Sequence, residues 1–432
     1  MKTLFIAFFI FFGHLTYSQT ILLKAKNFYD SEEGVLKKDI EVLIKNNRII
    51  EVGKQIKIDS SSTQIIDFGD ATLTPGLIDS HTHLFIEEEL HQDYAGFGEA
   101  VYKTLLTKSD ATRTLEALKR GQSYLNSGFT TIRDLGNSGN YLDVDLRNAI
   151  NNRLVTGPRM YVSGPGIAAL GGQLNSVNHD YMHLVKEEYD QVTNDNAITE
   201  SVQKHVLMKV DLIKVYADNI PNRTKLNHDQ VSKIVDEAKF YNKNVTAHAI
   251  TNDAVWRAAI SDVSSIEHVY NVNDSTLNII KEKEIAVIPT FSSREISIEL
   301  FKKYRDFDSI QLNRIVDRSI KGQQSKLLRL HNSGVKLAFG SDFYSKISMS
   351  RGESALSCLI GWIESGIPVE TVLKYATHNG AQVIDKNAKF GVIKKGYYAD
   401  IVVFKGNIKD DYKLMKECLF VMKDGEIIKN KS

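Results

Sequence analysis

The sequence predicts an α/β protein: a (β/α)8 TIM-like barrel carrying a small β-sandwich domain built from both chain ends. Two observations predict it. From Pro75-Gly76 to about residue 387, strand-like apolar runs alternate with longer helical stripes, the texture of βα units on a parallel sheet. The flanking stretches, 19–74 and 388–432, read as short strands with turns. Each is too short to fold well alone, so the two are expected to pair into one domain, which would bring the termini together.

In the first flank the strands are Thr20–Ala25, Asp39–Lys45, Arg48–Val52 and Gln64–Asp67, with Asn46-Asn47 as a hairpin turn. Eight barrel strands follow: Gly76–His83, Phe129–Asp134, Arg159–Ser163, Leu212–Ala217, Asn244–His248, Ser265–Val269, Ala286–Thr290 and Lys336–Gly340. Helices are expected between them at Ala111–Ser127, His228–Tyr241, Thr251–Ala259 and Gln311–Asn332. Val231, Ile234, Val235 and Ala238 show the apolar stripe of a helix that covers a sheet. A helix over Pro368–Ile384 would close the barrel. Beyond Gly391 the chain returns to strands at Asp400–Phe404, Leu419–Lys423 and Glu426–Lys429, the last two joined at Asp424-Gly425.

The chain has 432 residues, 42% hydrophobic and 25% charged, with a formal net charge of +1. Such a balance argues against nucleic acid as the main partner, because phosphate binding shows as a basic excess. Residues 1–18 have the layout of a secretory signal peptide: Lys2, the apolar run Leu4–Phe12, then a polar stretch with a small residue at Ser18. The run is too short to span a bilayer. The mature protein is therefore expected to be exported, periplasmic or secreted, with no stable membrane insertion. Cys358 and Cys418 are too few for a disulfide framework and read as single buried thiols.

The chemistry is expected at the strand ends. His81 and His83 lie at i and i+2, so both imidazoles face one side, at the C-terminal mouth where barrel enzymes keep their sites. One such pair is weak evidence by itself. Yet Lys214 lies in the fourth strand, His248 ends the fifth, His268 ends the sixth and Asp342 follows the eighth. Imidazoles and a carboxylate in this register suit Zn²⁺ or a similar divalent ion. Lys214 sits amid apolar residues, where an ammonium is costly. A neutral amine there can take up carbon dioxide, and the resulting carbamate can bridge two ions. The competing reading of Lys214 is an interior lysine paired with an acid. Tyr216 shares the face of Lys214, where a tyrosine can simply fill the barrel mouth.

The run Thr74-Pro75-Gly76-Leu77-Ile78-Asp79-Ser80-His81-Thr82-His83, with Lys214, His248, His268 and Asp342, resembles the amidohydrolase superfamily. Gly391–Val403 resembles its return strand into the β domain. Within the superfamily the chain looks most like the imidazolonepropionase-like branch that contains prolidases and other metal-dependent dipeptidases. The resemblance implies that His81, His83 and Asp342 hold the more buried of two divalent metal ions, with zinc the expected element. It implies that the Lys214 carbamate bridges, that His248 and His268 hold the outer ion, and that Asp342 is general base and then acid. Imidazolonepropionase uses one metal and lacks the bridging lysine, so Lys214 argues against that activity.

Tyr216 would steady the scissile carbonyl oxygen, and the loop Gly164–Gln173 would line the substrate. In similar dipeptidases His commonly follows the two glycines, whereas Gln173 stands here and cannot titrate. Arg133-Asp134 is expected to pair internally. The expected activity is hydrolysis of an amide bond in a dipeptide, Xaa-Pro or related, or in a small peptide-like molecule. Lactone, ester or cyclic-amide hydrolysis at the same metals is the alternative, and a non-catalytic scaffold is a third reading. A homo-oligomer is compatible with the sequence.

Overall fold

A computed structural model describes residues 20–93, 96–174, 178–220 and 222–431. The expected signal peptide, 1–18, lies outside the described residues. The two chain ends share one eight-stranded sheet, in the order Glu426–Asn430, Cys418–Lys423, Ile401–Lys405, Ala71–Pro75, Thr20–Asp30, Val35–Lys45 and Arg48–Gly53. Thr63–Asp67 also pairs with Thr20–Asp30. Thr20–Asp30 is therefore a fork: its first half runs beside Thr63–Asp67 and its second half beside Ala71–Pro75. One core collects Ile21, Leu23, Val42, Ile66, Leu73, Val403 and Phe420 from both branches. Where two stacked sheets were expected, one continuous forked sheet surrounds the core. Both expected turns are tight: Asn46-Asn47 links Lys45 to Arg48, and Asp424-Gly425 has positive φ at both residues.

Between the flanks all strands pair in parallel. Leu77–Thr82, Phe129–Asp134 and Arg159–Val162 form one sheet. The other runs Tyr189–Gln191, Gly166–Ala168, Leu212–Tyr216, Asn244–Ala249, Ser265–His268 and Ala286–Ile288. Two sets of backbone bonds join them. Asp211 N–H donates to Val162 O at 2.8 Å, and at the other end Val287 N–H donates to Lys336 O at 2.8 Å while Ser80 N–H donates to Phe339 O at 2.9 Å.

The eighth expected strand, Lys336–Gly340, is reduced to a bridge between Val287 and Leu337. The chain there presses on the first strand, for a Cβ at Gly340 would lie 2.7 Å from that of His81. The expected helix Pro368–Ile384 is two helices, Val369–Tyr375 and His378–Ile384. It breaks because the carbonyls of Tyr375 and Ala376 accept from Phe339 N–H and Ile78 N–H, anchoring the chain to the strands. The helix His228–Phe240 buries Val231, Ile234 and Ala238 as its stripe requires, and an Asn227/Gln230 capping box starts it. No helix among the described residues is long and apolar enough to cross a membrane.

Candidate metal centre

His81 and His83 reach the mouth of the parallel strands with their ring orientation set from behind. His81 Nδ1–H donates to Glu267 Oε2 at 2.7 Å, and His83 Nδ1–H donates to the carbonyl of Gly136 at 2.9 Å. Each ring must then carry its lone pair on Nε2. The two Nε2 atoms lie 3.3 Å apart, and Asp342 Oδ1 lies 3.5 Å from the first and 3.3 Å from the second. Two bare nitrogens and a carboxylate oxygen cannot hydrogen-bond one another. Ligand atoms held at about 2.1 Å around a tetrahedral zinc ion, however, stand about 3.4 Å apart. Asp342 Oδ1 is buried without a hydrogen-bond partner, so the donor set fits a cation.

His268 and His248 form the neighbouring pair. His268 Nε2 lies 2.8 Å from His248 Nδ1, and His268 Nδ1 meets Thr290 Oγ1 at 2.8 Å. Ligand atoms of His81, His268 and Asp342 all fall within 4.8 Å of one another. Both His268 and Asp342 have positive φ, 73° and 48°. Such strained backbone is held in place only where the surroundings determine it, as at binding sites.

Lys214 is buried, and its Nζ lies 5.4 Å from the ring centre of Tyr216. No acid hydrogen-bonds it among the described residues. Glu267 and Asp342 act on it through their charge and not through a hydrogen bond. His81, His83, Lys214, Tyr216, His248, His268, Asp342 and Gln173 all line one cavity of about 240 Å³. Its remaining wall is aromatic and aliphatic, from Phe97, Ile220, Ile250, Tyr270 and Tyr344, with Asn137.

Burial sets the protonation. It pushes the His81 ring down to about 4 and the His268 ring to about 3, and holds His248 well below its ordinary value. These rings are neutral near pH 7, so each has one nitrogen without a proton. Burial also lowers Lys214 to about 8, so an appreciable fraction of the amine is neutral at mildly alkaline pH. It works the other way on Asp342, but in acid the protonated rings of His81 and His268 outweigh burial and hold that carboxyl below the ordinary range, so it stays ionised near pH 7. Tyr216 stays a phenol, its hydroxyl raised well above 10 by burial.

Glu267 was missed in the sequence. It is fully buried, takes His81 with one oxygen, and with the other takes Arg133 at 2.8 Å. The available signal was an acid within the apolar strand, one residue before His268. Arg133 and Asp134 do not pair as expected. Arg133 also donates to Ser80 O, and Asp134 accepts from Thr82 Oγ1 and Leu84 N–H, because the two side chains leave opposite faces of their strand. The remaining histidines among the described residues stay apart from the centre; His205 is buried on the carbonyls of Ser201 and Pro165. Cys358 and Cys418 are buried free thiols.

Residues 72–428 match the Amidohydrolase family. The chain is 25% identical over 383 residues to an ochratoxinase of Aspergillus niger, covering 83% of this chain and 75% of that one. It is 22% identical over 393 residues to an imidazolonepropionase of Fusobacterium nucleatum, covering 84% of each. A crystal structure of a Xaa-Pro dipeptidase with bound methionine superimposes with a TM-score of 0.81 at 24% identity, over 95% of this chain and 100% of that one. That likeness implies the TIM-like barrel fold. With its family match spanning both the parallel strands and the return into the forked sheet, the chain belongs to the Amidohydrolase family and is a hydrolase of carbon–nitrogen bonds.

Proposed function

We propose that the protein is a two-metal hydrolase that cleaves an amide bond in a dipeptide, Xaa-Pro or related, or in a small peptide-like molecule. In this reading residues 75–387 are an eight-strand barrel, 19–74 plus 388–432 are its β domain, and residues 1–18 direct export to the periplasm or beyond. The observation that carries it is the lining of one cavity by four imidazoles, Asp342 and a buried lysine that hydrogen-bonds no acid among the described residues. His81, His83 and Asp342 would hold the inner ion, and His248 and His268 the outer one. Lys214, as a carbamate formed with carbon dioxide, would join them. When bound, such ions polarise a carbonyl and lower the pKa of a water to near neutrality.

The chain's own groups do the rest. Asp342, held ionised, accepts a proton from the water and returns it to the leaving nitrogen. Tyr216, which remains a phenol, donates to the carbonyl oxygen as negative charge grows there. Phe97, Tyr270, Tyr344 and Ile250 exclude solvent around the reacting carbonyl.

A second reading keeps the metals and changes the bond to that of a lactone, ester or cyclic amide. Among the described residues that line the cavity Lys214 is the only lysine or arginine, so as a carbamate it would leave a free peptide carboxylate no side-chain counter-charge there. A panel of dipeptides, including Xaa-Pro, run beside lactones and esters on the zinc-loaded protein separates the two. Amino-acid release from a peptide supports the first reading. Turnover of lactones alone overturns it.

A further inference from the structure

Both ring nitrogens of His248 are engaged. Nδ1 lies 2.8 Å from His268 Nε2, and Nε2 lies 2.8 Å from the amide nitrogen of Gln173. An amide nitrogen only donates, so His248 Nε2 accepts and the ring proton sits on Nδ1, aimed at the lone pair of His268 Nε2. In that state the facing nitrogens satisfy each other. One has no lone pair and the other's is occupied, so the pair is closed to a cation.

An amide also has an acceptor end. A half-turn about the last side-chain bond would present Gln173 Oε1 to His248. Nε2 would then carry the proton and Nδ1 would be bare, with both facing nitrogens free to bind an ion. The ring stays neutral throughout: it loses the proton on Nδ1 to water and gains one from water on Nε2.

We propose that Gln173 is a positioning residue that selects the tautomer of His248, and that filling of the outer metal site is accompanied by this half-turn of its amide. The inference rests on the two-metal reading above. Among the described residues the competing acceptor is Asp218. Asp218 Oδ1 stands 3.5 Å from His248 Nε2, beyond a good hydrogen bond, and Asp218 Oδ2 already accepts from Thr251 N–H at 3.0 Å and its hydroxyl at 2.9 Å.

The backbone before Gln173 is built to hold it there. Gly171 and Gly172 have φ of 88° and 52°, and a Cβ on Gly172 would lie 2.6 Å from the Tyr189 ring. Gln191 Oε1 accepts from Gly171 N–H at 2.8 Å, and the Asn222 amide donates to Gly172 O.

The test is zinc binding by the chelator-stripped protein at buffered free zinc, with bicarbonate present, read by elemental analysis. The wild-type chain should take two ions of distinguishable affinity. Gln173→Met and Gln173→Ala should weaken the second ion about 10- to 100-fold and leave the first unchanged, the latter confirming that the fold is intact. Gln173→Glu, whose carboxylate only accepts, should bind the second ion at least as tightly as the wild type. Wild-type affinity for the second ion in Gln173→Met would overturn the inference while leaving the two-metal reading standing. A wild-type chain that takes only one ion would overturn both.

Discussion

Glu267 stands directly behind His81, its Oε2 2.7 Å from the ring's Nδ1, and its other oxygen closes a buried ion pair with Arg133. One carboxylate thus fixes the His81 ring and neutralises an internal guanidinium. Arg133 and His81 both help hold it ionised against the cost of burial. Glu267→Gln keeps the shape and removes the charge, stranding Arg133. The variant should lose about 3–5 kcal/mol of stability in urea denaturation, the range for breaking a buried pair from one side. Zinc affinity at the inner site should fall about 10- to 100-fold.

Tyr216 carries the donor proposed for the developing oxyanion. Tyr216→Phe removes a hydroxyl and leaves the ring against Tyr189 and His248. It should lower kcat by about 10²–10³ with little change in KM, as removal of one such donor does. Steady-state kinetics on the best amide substrate reads this, and an equal loss in KM alone would assign Tyr216 to ground-state binding.

Asp143 gives the fold a pH dependence away from the metal centre. Burial, reinforced by Asp134, raises its carboxyl to about 7, although Gly164 N–H and Val144 N–H donate to it. The folded state therefore holds a proton that the unfolded state has lost between about pH 4 and 7. The contribution of Asp143 to stability must fall as pH rises through that window and stay low above it. Asp143→Asn should remove this slope, so the stability gap between variant and wild type should shift in the variant's favour from pH 4 to pH 7. Urea midpoints across the range measure it.

Stripping the metals should expose what they stabilise. Neutral imidazoles and ionised Asp342 packed in one cavity favour a folded state that binds cations over an unfolded one that does not. Dialysis against a chelator should abolish turnover and lower the melting temperature, and zinc with bicarbonate should restore both. An unchanged melting temperature on reloading would show that the cavity does not hold ions.

Much of the centre was legible because strand geometry is periodic. His81 and His83 share a face by their spacing, and Lys214 shares one with Tyr216 for the same reason. The role of Glu267 was not legible. In a regular strand, neighbours such as Glu267 and His268 point to opposite faces, so a reading that turns one inward turns the other out. Here both face the interior because the backbone at His268 swings to a φ of 73°, a local irregularity that no pattern of residue types announces. The break at Thr377 was hidden likewise, since it depends on the carbonyls of Tyr375 and Ala376 accepting from Phe339 N–H and Ile78 N–H, both far away in the chain. The forked sheet escaped notice because one strand, Thr20–Asp30, serves two partners along its length.

The central claim is that His81, His83, Lys214, His248, His268 and Asp342 hold a pair of divalent ions that drive hydrolysis. Its most direct measurement is the metal content and turnover of zinc-supplied protein beside His81→Ala and His83→Ala. The wild type should carry two ions per chain and hydrolyse an amide, and both variants should lose metal and all measurable turnover. An active variant free of metal, or a wild type that stays metal-free with zinc supplied, would contradict the claim.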